Sequence, residues 1–215
     1  AAPAPGMAGE RFITLASTTS TVASGLYDRI LPLFTKKTGI AVHVIAVGTG
    51  QALRLSQNGD ADGLLVHHPP SEQAFVEAGF GIDRRLVMYN QFLIAGPKND
   101  PAKAAGADNV SEALRRIAAK GAPFISRADD SGTHKKELGL WRAARIDPKP
   151  GSGIWYMETG SGMGATLRMA TATSGYTLTD RGTWLSYRDK GGMAAIFDKA
   201  DPGLRNQYSV IMVNP

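Results

Sequence analysis

Short apolar runs recur along the chain, each closed by a hydroxyl- or glycine-rich turn and followed by a segment with apolar residues at helical spacing. Residues 12–16 form the first run and end in Ser17-Thr18-Thr19-Ser20-Thr21. The following spacing predicts a helix with Val22, Leu26, Ile30, Leu33 and Phe34 on one face, stopped by Gly39. Pro32 inside that pattern predicts a kink or an early end. A second strand over 41–47 closes at Gly48-Thr49-Gly50 and leads into a helix through Leu55. A third over 61–66 ends at His67-His68-Pro69-Pro70, with Ser71 as the expected N-cap of a short helix to Ala78. Three strand–loop–helix units in succession predict a mainly parallel sheet with flanking helices.

Residues 85–97 read as one long strand running out into the turn-rich Lys98-Asn99-Asp100-Pro101. A second alternating set follows. It comprises a helix over 110–120, a strand ending at Arg127, and a helix from Ser131 with Leu138, Leu140, Trp141 and Ala144 at helical spacing. A strand over 154–158, a glycine-rich helix start at 159–164, a strand over 176–179, a short helix after Asp180-Arg181-Gly182 and a last strand over 207–213 complete it. The pattern predicts an α/β protein of two lobes, 11–90 with 207–215 and 91–206, with residues 1–10 as a disordered extension. Ligands of such sheets sit beyond the carboxyl ends of strands, so the expected site is the cleft between the lobes.

Composition narrows the classes. With 215 residues, 43% apolar and 20% charged, the chain has ample material for a folded core. It contains no cysteine, which excludes disulfides and thiolate metal sites. The net charge of +5 raises nucleic acid as a partner, but the basic residues come as scattered pairs, with no aromatic-interleaved stripe. The reading is therefore no nucleic acid, and a basic protein that handles an anion.

The loops carry the candidate chemistry. Five consecutive hydroxyls at 17–21 exceed the one that an N-cap needs, and they stand where a helix start presents unpaired N–H groups and a positive dipole end. Arg127 ends an apparently buried strand just before the helix start at Ser131 and Thr133; an unpaired charge there is costly, and an arriving anion would relieve it. The competing reading pairs Arg127 with Asp129 or Asp130 as an ordinary surface cluster. His43, His67, His68 and His134 lack metal-ligand spacing. Residues 160–165 match G-x-G-x-x-A after a strand, with Asp180 further on, which leaves a dinucleotide-dependent enzyme as the alternative.

The chain resembles the periplasmic tungstate-binding proteins of the TupA type, solute receptors of an ATP-driven oxyanion importer. The resemblance is carried by residues 17–21, by Ala46-Val47-Gly48-Thr49-Gly50-Gln51-Ala52-Leu53, by Gly59-Asp60-Ala61-Asp62, by 126–137, by Trp155-Tyr156-Met157-Glu158-Thr159-Gly160 and by Tyr176-Thr177-Leu178-Thr179-Asp180-Arg181-Gly182. It implies a class II periplasmic-binding fold, two mainly parallel sheets closing over tungstate or molybdate, no enzyme activity, no cofactor, a monomer, and a membrane permease as partner; a receptor of the same fold for another oxyanion is the second alternative. It implies Thr18, Thr19, Ser20 and Thr49 as donors from lobe one, with His68, and Arg127, Ser131 and Thr133 from lobe two. It also implies periplasmic location after signal-peptide removal. Family members run on into C-terminal helices, so the expectation is that such a segment is missing here and an apolar face of lobe one is uncovered.

Overall fold

The structure is a computed structural model and describes residues 11–214; the expected extension at 1–10 and Pro215 lie outside them. The first half runs through β1 (Phe12–Thr18), α1 (Thr19–Ala23), α2 (Leu26–Thr38), β2 (Ala41–Val47), α3 (Thr49–Gln57), β3 (Gly63–Val66) and α4 (Pro69–Glu77). The long β4 (Gly81–Pro97) then leads to α5 (Val110–Lys120), β5 (Phe124–Ser126), α6 (Gly132–Ala143), β6 (Tyr156–Glu158) and α7 (Met163–Thr173). After β7 (Thr177–Asp180), α8 (Arg181–Ser186) and β8 (Met193–Phe197), β9 (Arg205–Val213) returns to the first half.

Two sheets meet along β4. In the first lobe the order is β2-β1-β3-β9-β4; β1 pairs parallel with β2 and β3, and β9 lies antiparallel between β3 and β4. In the second, β4 is antiparallel to β7 and β8, β5 is parallel to β6, and Phe124 bridges Tyr176 in parallel beside β7. Each sheet is thus mainly parallel in direction with one reversed strand, and that strand is the one arriving from the other lobe. A strand that passes straight from lobe to lobe is not delivered by a helical crossover, so nothing holds it parallel. β4 exchanges partners between Gln91, opposite Arg205 of β9, and Phe92, opposite Asp180 of β7.

The helix ends follow local chemistry. Asn109 caps α5, its side chain accepting from Glu112 N at 2.9 Å, and Gly121 ends it in the left-handed region at φ 63°. α4 begins at Pro69, capped by His68, one turn edge earlier than the Ser71 cap expected from sequence. Two prolines at its first positions pre-set the helical φ and need no N–H partner, which moves the cap forward. Pro32 lies inside α2 without ending it.

Packing differs between the lobes. The second covers both faces of its sheet: Trp141, Phe124, Tyr156, Leu114 and Ile117 on one, Leu93, Ile125, Leu167 and Trp184 on the other. The first gathers Ala52, Leu53, Leu64, Val66, Phe75 and Ile211 on one face. The apolar face expected of the first long helix is not core: Val22, Ile30, Leu33 and Phe34 are exposed. Tyr27 and Leu31, one turn apart, take the inward side instead, with the Tyr27 hydroxyl bonded to Ser17. β8 was not expected from the sequence either. Among the described residues no helix is long and apolar enough to cross a membrane.

Candidate functional site

The carboxyl end of β1 runs into α1 with its hydroxyls turned inward. Thr18 is the N-cap of α1, its Oγ1 lying 2.7 Å from Thr21 Oγ1 and 3.1 Å from Ser20 Oγ. Ser20 Oγ in turn lies 3.2 Å from His67 Nε2. Ser17 is used structurally, donating to Leu65 O at 2.8 Å and meeting Tyr27. So the run of hydroxyls divides: Thr18, Ser20 and Thr21 form a buried network, and Thr19, half-buried, accepts from Arg127 Nη2 at 3.3 Å.

The opposite wall comes from the loop between β5 and α6. Arg127 is 2% exposed and is paired within its own loop: Nε and Nη2 donate to Asp129 Oδ2 at 3.1 and 2.5 Å. The surface-cluster alternative is thus half right, because the partner is Asp129, yet the guanidinium is buried and the carboxylate only 16% exposed. Asp130 does not orient the guanidinium; it faces Lys135 at 3.1 Å and Arg54 at 3.7 Å. Asp129 Oδ1 accepts from Ser131 N at 3.2 Å, and Ser131 Oγ caps α6 by accepting from His134 N at 3.1 Å. Ala128 and Asp130 both sit in the left-handed region, at φ 49° and 56°, a strained conformation for residues with a Cβ.

The glycine-rich segment at 160–165 buttresses this loop. Thr159 Oγ1 donates to the carbonyls of Ser126 and Arg127, and Ser161 N donates to Arg127 O at 3.1 Å. Those contacts give the segment a structural role beside Arg127, and its first glycine, Gly160, takes the left-handed region at φ 60°.

The walls touch across glycine. A Cβ built on Gly132 would lie 2.8 Å from Thr49 Oγ1 and 2.8 Å from His67 Cε1, and one on Gly48 would lie 3.3 Å from Asp129 O. Beside that contact, Thr49 Oγ1 on α3 and Thr133 Oγ1 on α6 are buried without a hydrogen-bond partner. The helix start at Thr49 carries no side-chain cap, so its first N–H groups are unoccupied by a hydroxyl or carboxylate. Leaving a buried hydroxyl unpaired costs about 1–3 kcal/mol; Ser56, Ser126, Tyr187 and Ser209 are unpaired as well, and it is the place of Thr49 and Thr133 beside the Gly132 contact that fits them to donate across it.

His67, not His68, belongs to this cluster. His67 is 4% exposed, its ring tilted 37° to that of Tyr208 at 4.8 Å between centroids, and burial first and the Arg127 charge second pull its pKa down to about 4. It is therefore neutral at pH 7. Its Nδ1 has no partner at hydrogen-bond geometry, and the neighbouring Asn206 side chain opposes the downward shift only in part. His68 turns to Ser71, with Nδ1 2.7 Å from Ser71 Oγ and 3.3 Å from Ser71 N, and caps α4. The sequence offered no means to choose between adjacent histidines past the end of a strand, where the two-residue alternation stops.

Behind the cluster a polar network ties the crossing strands together. Asn206 Nδ2 donates to Asn90 Oδ1 at 2.8 Å and to Tyr208 Oη at 3.1 Å, and Asn90 Nδ2 reaches Asp180 Oδ1 at 3.3 Å. Asp180 caps α8 and accepts from the Thr183 hydroxyl at 2.6 Å; burial raises its carboxyl pKa. Among the described residues there is no group of three or more His, Asp or Glu that could hold a metal ion.

The arrangement offers hydroxyls, uncapped helix N–H groups and one guanidinium whose charge is balanced by its own carboxylate. It suits a small oxygen-rich anion held by donors from both lobes. The comparisons agree in kind. Residues 3–215 match the PBP superfamily domain. The chain is 51% identical over 205 residues to the tungstate-binding protein TupA of Peptoclostridium acidaminophilum, covering 94% of this chain and 70% of that protein. The crystal structure of the tungstate ABC transporter from Geobacter sulfurreducens is similar at TM-score 0.87 and 50% identity, with 96% of this chain and 86% of that chain covered. The tungstate-binding protein TupA from Desulfovibrio alaskensis superposes at TM-score 0.79 and 48% identity, with 95% and 82% covered.

Proposed function

This chain belongs to the TupA family of the PBP superfamily, and from that premise we propose that it captures tungstate for an ABC importer. The relatives are binding proteins, so the chain is a binding protein and not an enzyme, and the dinucleotide alternative falls away. It takes an anion as ligand and needs no cofactor.

The observation that carries the reading is the pair of buried, unpartnered hydroxyls, Thr49 Oγ1 and Thr133 Oγ1, on facing lobes beside Gly132. A tetrahedral oxyanion accepts from both, from the N–H groups starting α3, from Thr18 and Ser20, and from Arg127. Charge-assisted donation from Arg127 is the strongest of these contacts. Bridging the lobes favours the closed arrangement through its higher affinity, with the hinge where β4 and β9 cross, at Asn90–Gln91 and Arg205–Asn206. Residues 11–90 with 207–214 then move against 91–206.

Selection follows from the absence of a free carboxylate among the described residues of the cluster. Asp129 has both carboxylate oxygens engaged, by Arg127 and by Ser131 N, and Asp130 faces Lys135 and Arg54. A site rich in donors and without a free carboxylate disfavours an anion that still carries a proton, as phosphate does at neutral pH. Molybdate, of the same charge and shape as tungstate, is the second ligand. The receptor acts outside the cytoplasm, as a monomer delivering its cargo to a membrane permease.

Titration calorimetry of ligand-stripped protein with tungstate, molybdate, sulfate and phosphate tests this. The expected result is tight one-to-one binding of tungstate and molybdate, with sulfate weak and phosphate absent. Tight phosphate binding, or no heat with any oxyanion, overturns it.

A further inference from the structure

Of the openings along the seam between the lobes, two share no lining residue. Both reach the donor cluster. The first, of about 710 Å³, is lined by Thr21, whose hydroxyl lies 2.7 Å from Thr18 Oγ1. Its charged residues are Asp28 and Arg29, which cancel. The second, of about 450 Å³, has His67 among its walls, and His67 Nε2 is 3.2 Å from Ser20 Oγ. Its charged residues are Lys135, Lys136, Arg142 and Arg205, and no carboxylate lines it.

Those cations keep their charge available to the opening. Lys136 Nζ donates only to the Arg205 carbonyl, at 3.1 Å, and the Arg205 guanidinium lies 4.8 Å over the Tyr89 ring. Arg142 is exposed. Lys135 alone has an acidic partner, Asp130 at 3.1 Å. Asp201 also bears on Lys136, but its two oxygens accept from Val110 N and Gly203 N at 2.8 and 2.7 Å. The positive field registers on His68, whose pKa is pulled to about 4 by burial first and then by Lys135, Lys136 and Arg142. Lys136 and Arg142, far in sequence from Arg205, are thus gathered with it at one mouth of the cleft with no carboxylate lining it, where sequence showed only scattered pairs.

We infer that this second opening is the electrostatic entrance to the site, through which Lys136, Arg142 and Arg205 speed the arrival of a divalent oxyanion without touching it once bound. The inference rests on the oxyanion reading above. A divalent anion feels each cation twice as strongly as a monovalent one. A cleft lined by one sign of charge between low-dielectric walls raises association rates by about 10- to 1,000-fold, an effect that falls steeply with salt. The balanced first opening has no such pull.

Stopped-flow tryptophan fluorescence with tungstate, on protein whose equilibrium affinity is measured by calorimetry in parallel, tests it. The variants are Lys136→Gln with Arg142→Gln, the charge reversal Lys136→Glu with Arg142→Glu, and Arg29→Gln at the first opening. At low ionic strength the reversed pair is expected to bind at least about tenfold more slowly, with a dissociation rate within about twofold of the parent. The neutral pair should fall between, Arg29→Gln should match the parent, and the differences should collapse in high salt. Slow binding in the Arg29→Gln variant alone, unchanged rates in all, or a change confined to dissociation overturns the inference while tungstate binding stands. If calorimetry shows that the parent binds no oxyanion, the functional reading itself fails.

Discussion

Trp141 in the second lobe is fully buried, edge-on to Phe124, Trp155 and Tyr156, whereas Leu33 and Phe34 on the first lobe's α2 face solvent. The two lobes share one strand–helix logic but spend their apolar residues differently. The second is covered on both sheet faces and carries the strained, charged loop at 127–131 on that firm base. The first presents hydroxyls from a five-residue α1 and the start of α3. Holding a buried ion pair and two left-handed non-glycine residues requires a rigid surround. Presenting neutral hydroxyls does not.

The largest test of that contrast is stability. Trp141→Ala empties a fully packed aromatic site and removes the donor to Glu137, and should cost about 3–5 kcal/mol in denaturant unfolding. Phe34→Ala should stay within about 0.5 kcal/mol. Similar losses at both positions would mean that α2 is not the lightly held surface it presents here.

Next comes binding. Arg127→Ala removes the one guanidinium of the site and leaves the half-buried Asp129 carboxylate without its charge partner, so tungstate affinity should fall at least about 100-fold, near 3 kcal/mol. Ser20→Ala removes one neutral donor and should cost about tenfold or less. Calorimetry that ranks Ser20→Ala above Arg127→Ala would move the weight of binding to the first lobe.

The second lobe's core also carries a titration. Glu137 is buried, accepts from Tyr156 Oη at 2.7 Å and Trp141 Nε1 at 3.2 Å, and burial, ahead of these bonds, raises its pKa to about 7. Between pH 4.5 and 7 the folded chain keeps a proton that the unfolded chain has released, so its contribution to stability falls as pH rises through that window. The loss from pH 5 to 8 should be roughly 2–3 kcal/mol, and Glu137→Gln should abolish it. His67, held neutral with its pKa near 4, works in the other direction: its contribution is lost as pH falls from 6.5 through 4. Parallel pH–stability curves for parent and Glu137→Gln would refute a titrating Glu137.

The alternation of apolar runs and hydroxyl turns made the two-lobed α/β fold legible, because buried strands and amphipathic helices have different periods. It did not reveal β8, a short strand with no alternation after Gly191-Gly192, nor which way α2 faces, since Tyr27 wins the inward side through a bond to Ser17 that no period encodes. In the site, the hydroxyls and Arg127 were readable as residue types at helix starts. The Arg127–Asp129 pairing, the entry of His67 in place of His68, and the gathering of Arg205 with Lys136 and Arg142 depend on tertiary placement. The His68 cap alone left a usable sign, the two prolines that follow it.

Gly132→Ala probes the seam directly. Its added Cβ would meet Thr49 Oγ1 and His67 Cε1 at 2.8 Å, so the lobes could no longer close fully, and affinity should fall about tenfold with the second lobe's stability unchanged.

The smallest expected effects discriminate best. Thr49→Val and Thr133→Val keep side-chain shape and remove hydroxyls that have no partner within the protein. A hydroxyl present only to pack would be indifferent to oxyanion, and its removal would leave affinity alone. A hydroxyl kept unpaired for a ligand has opposite signatures: its removal relieves a buried polar group, so the ligand-free protein gains up to about 1 kcal/mol, while tungstate binding loses about 1 kcal/mol, or fivefold. Thermal unfolding without and with tungstate separates the two, because the ligand-induced rise in Tm should shrink as the ligand-free Tm climbs. If either substitution destabilises the free protein and leaves affinity intact, that threonine is part of the packing, and its lobe meets the anion through backbone N–H groups and the remaining side chains alone.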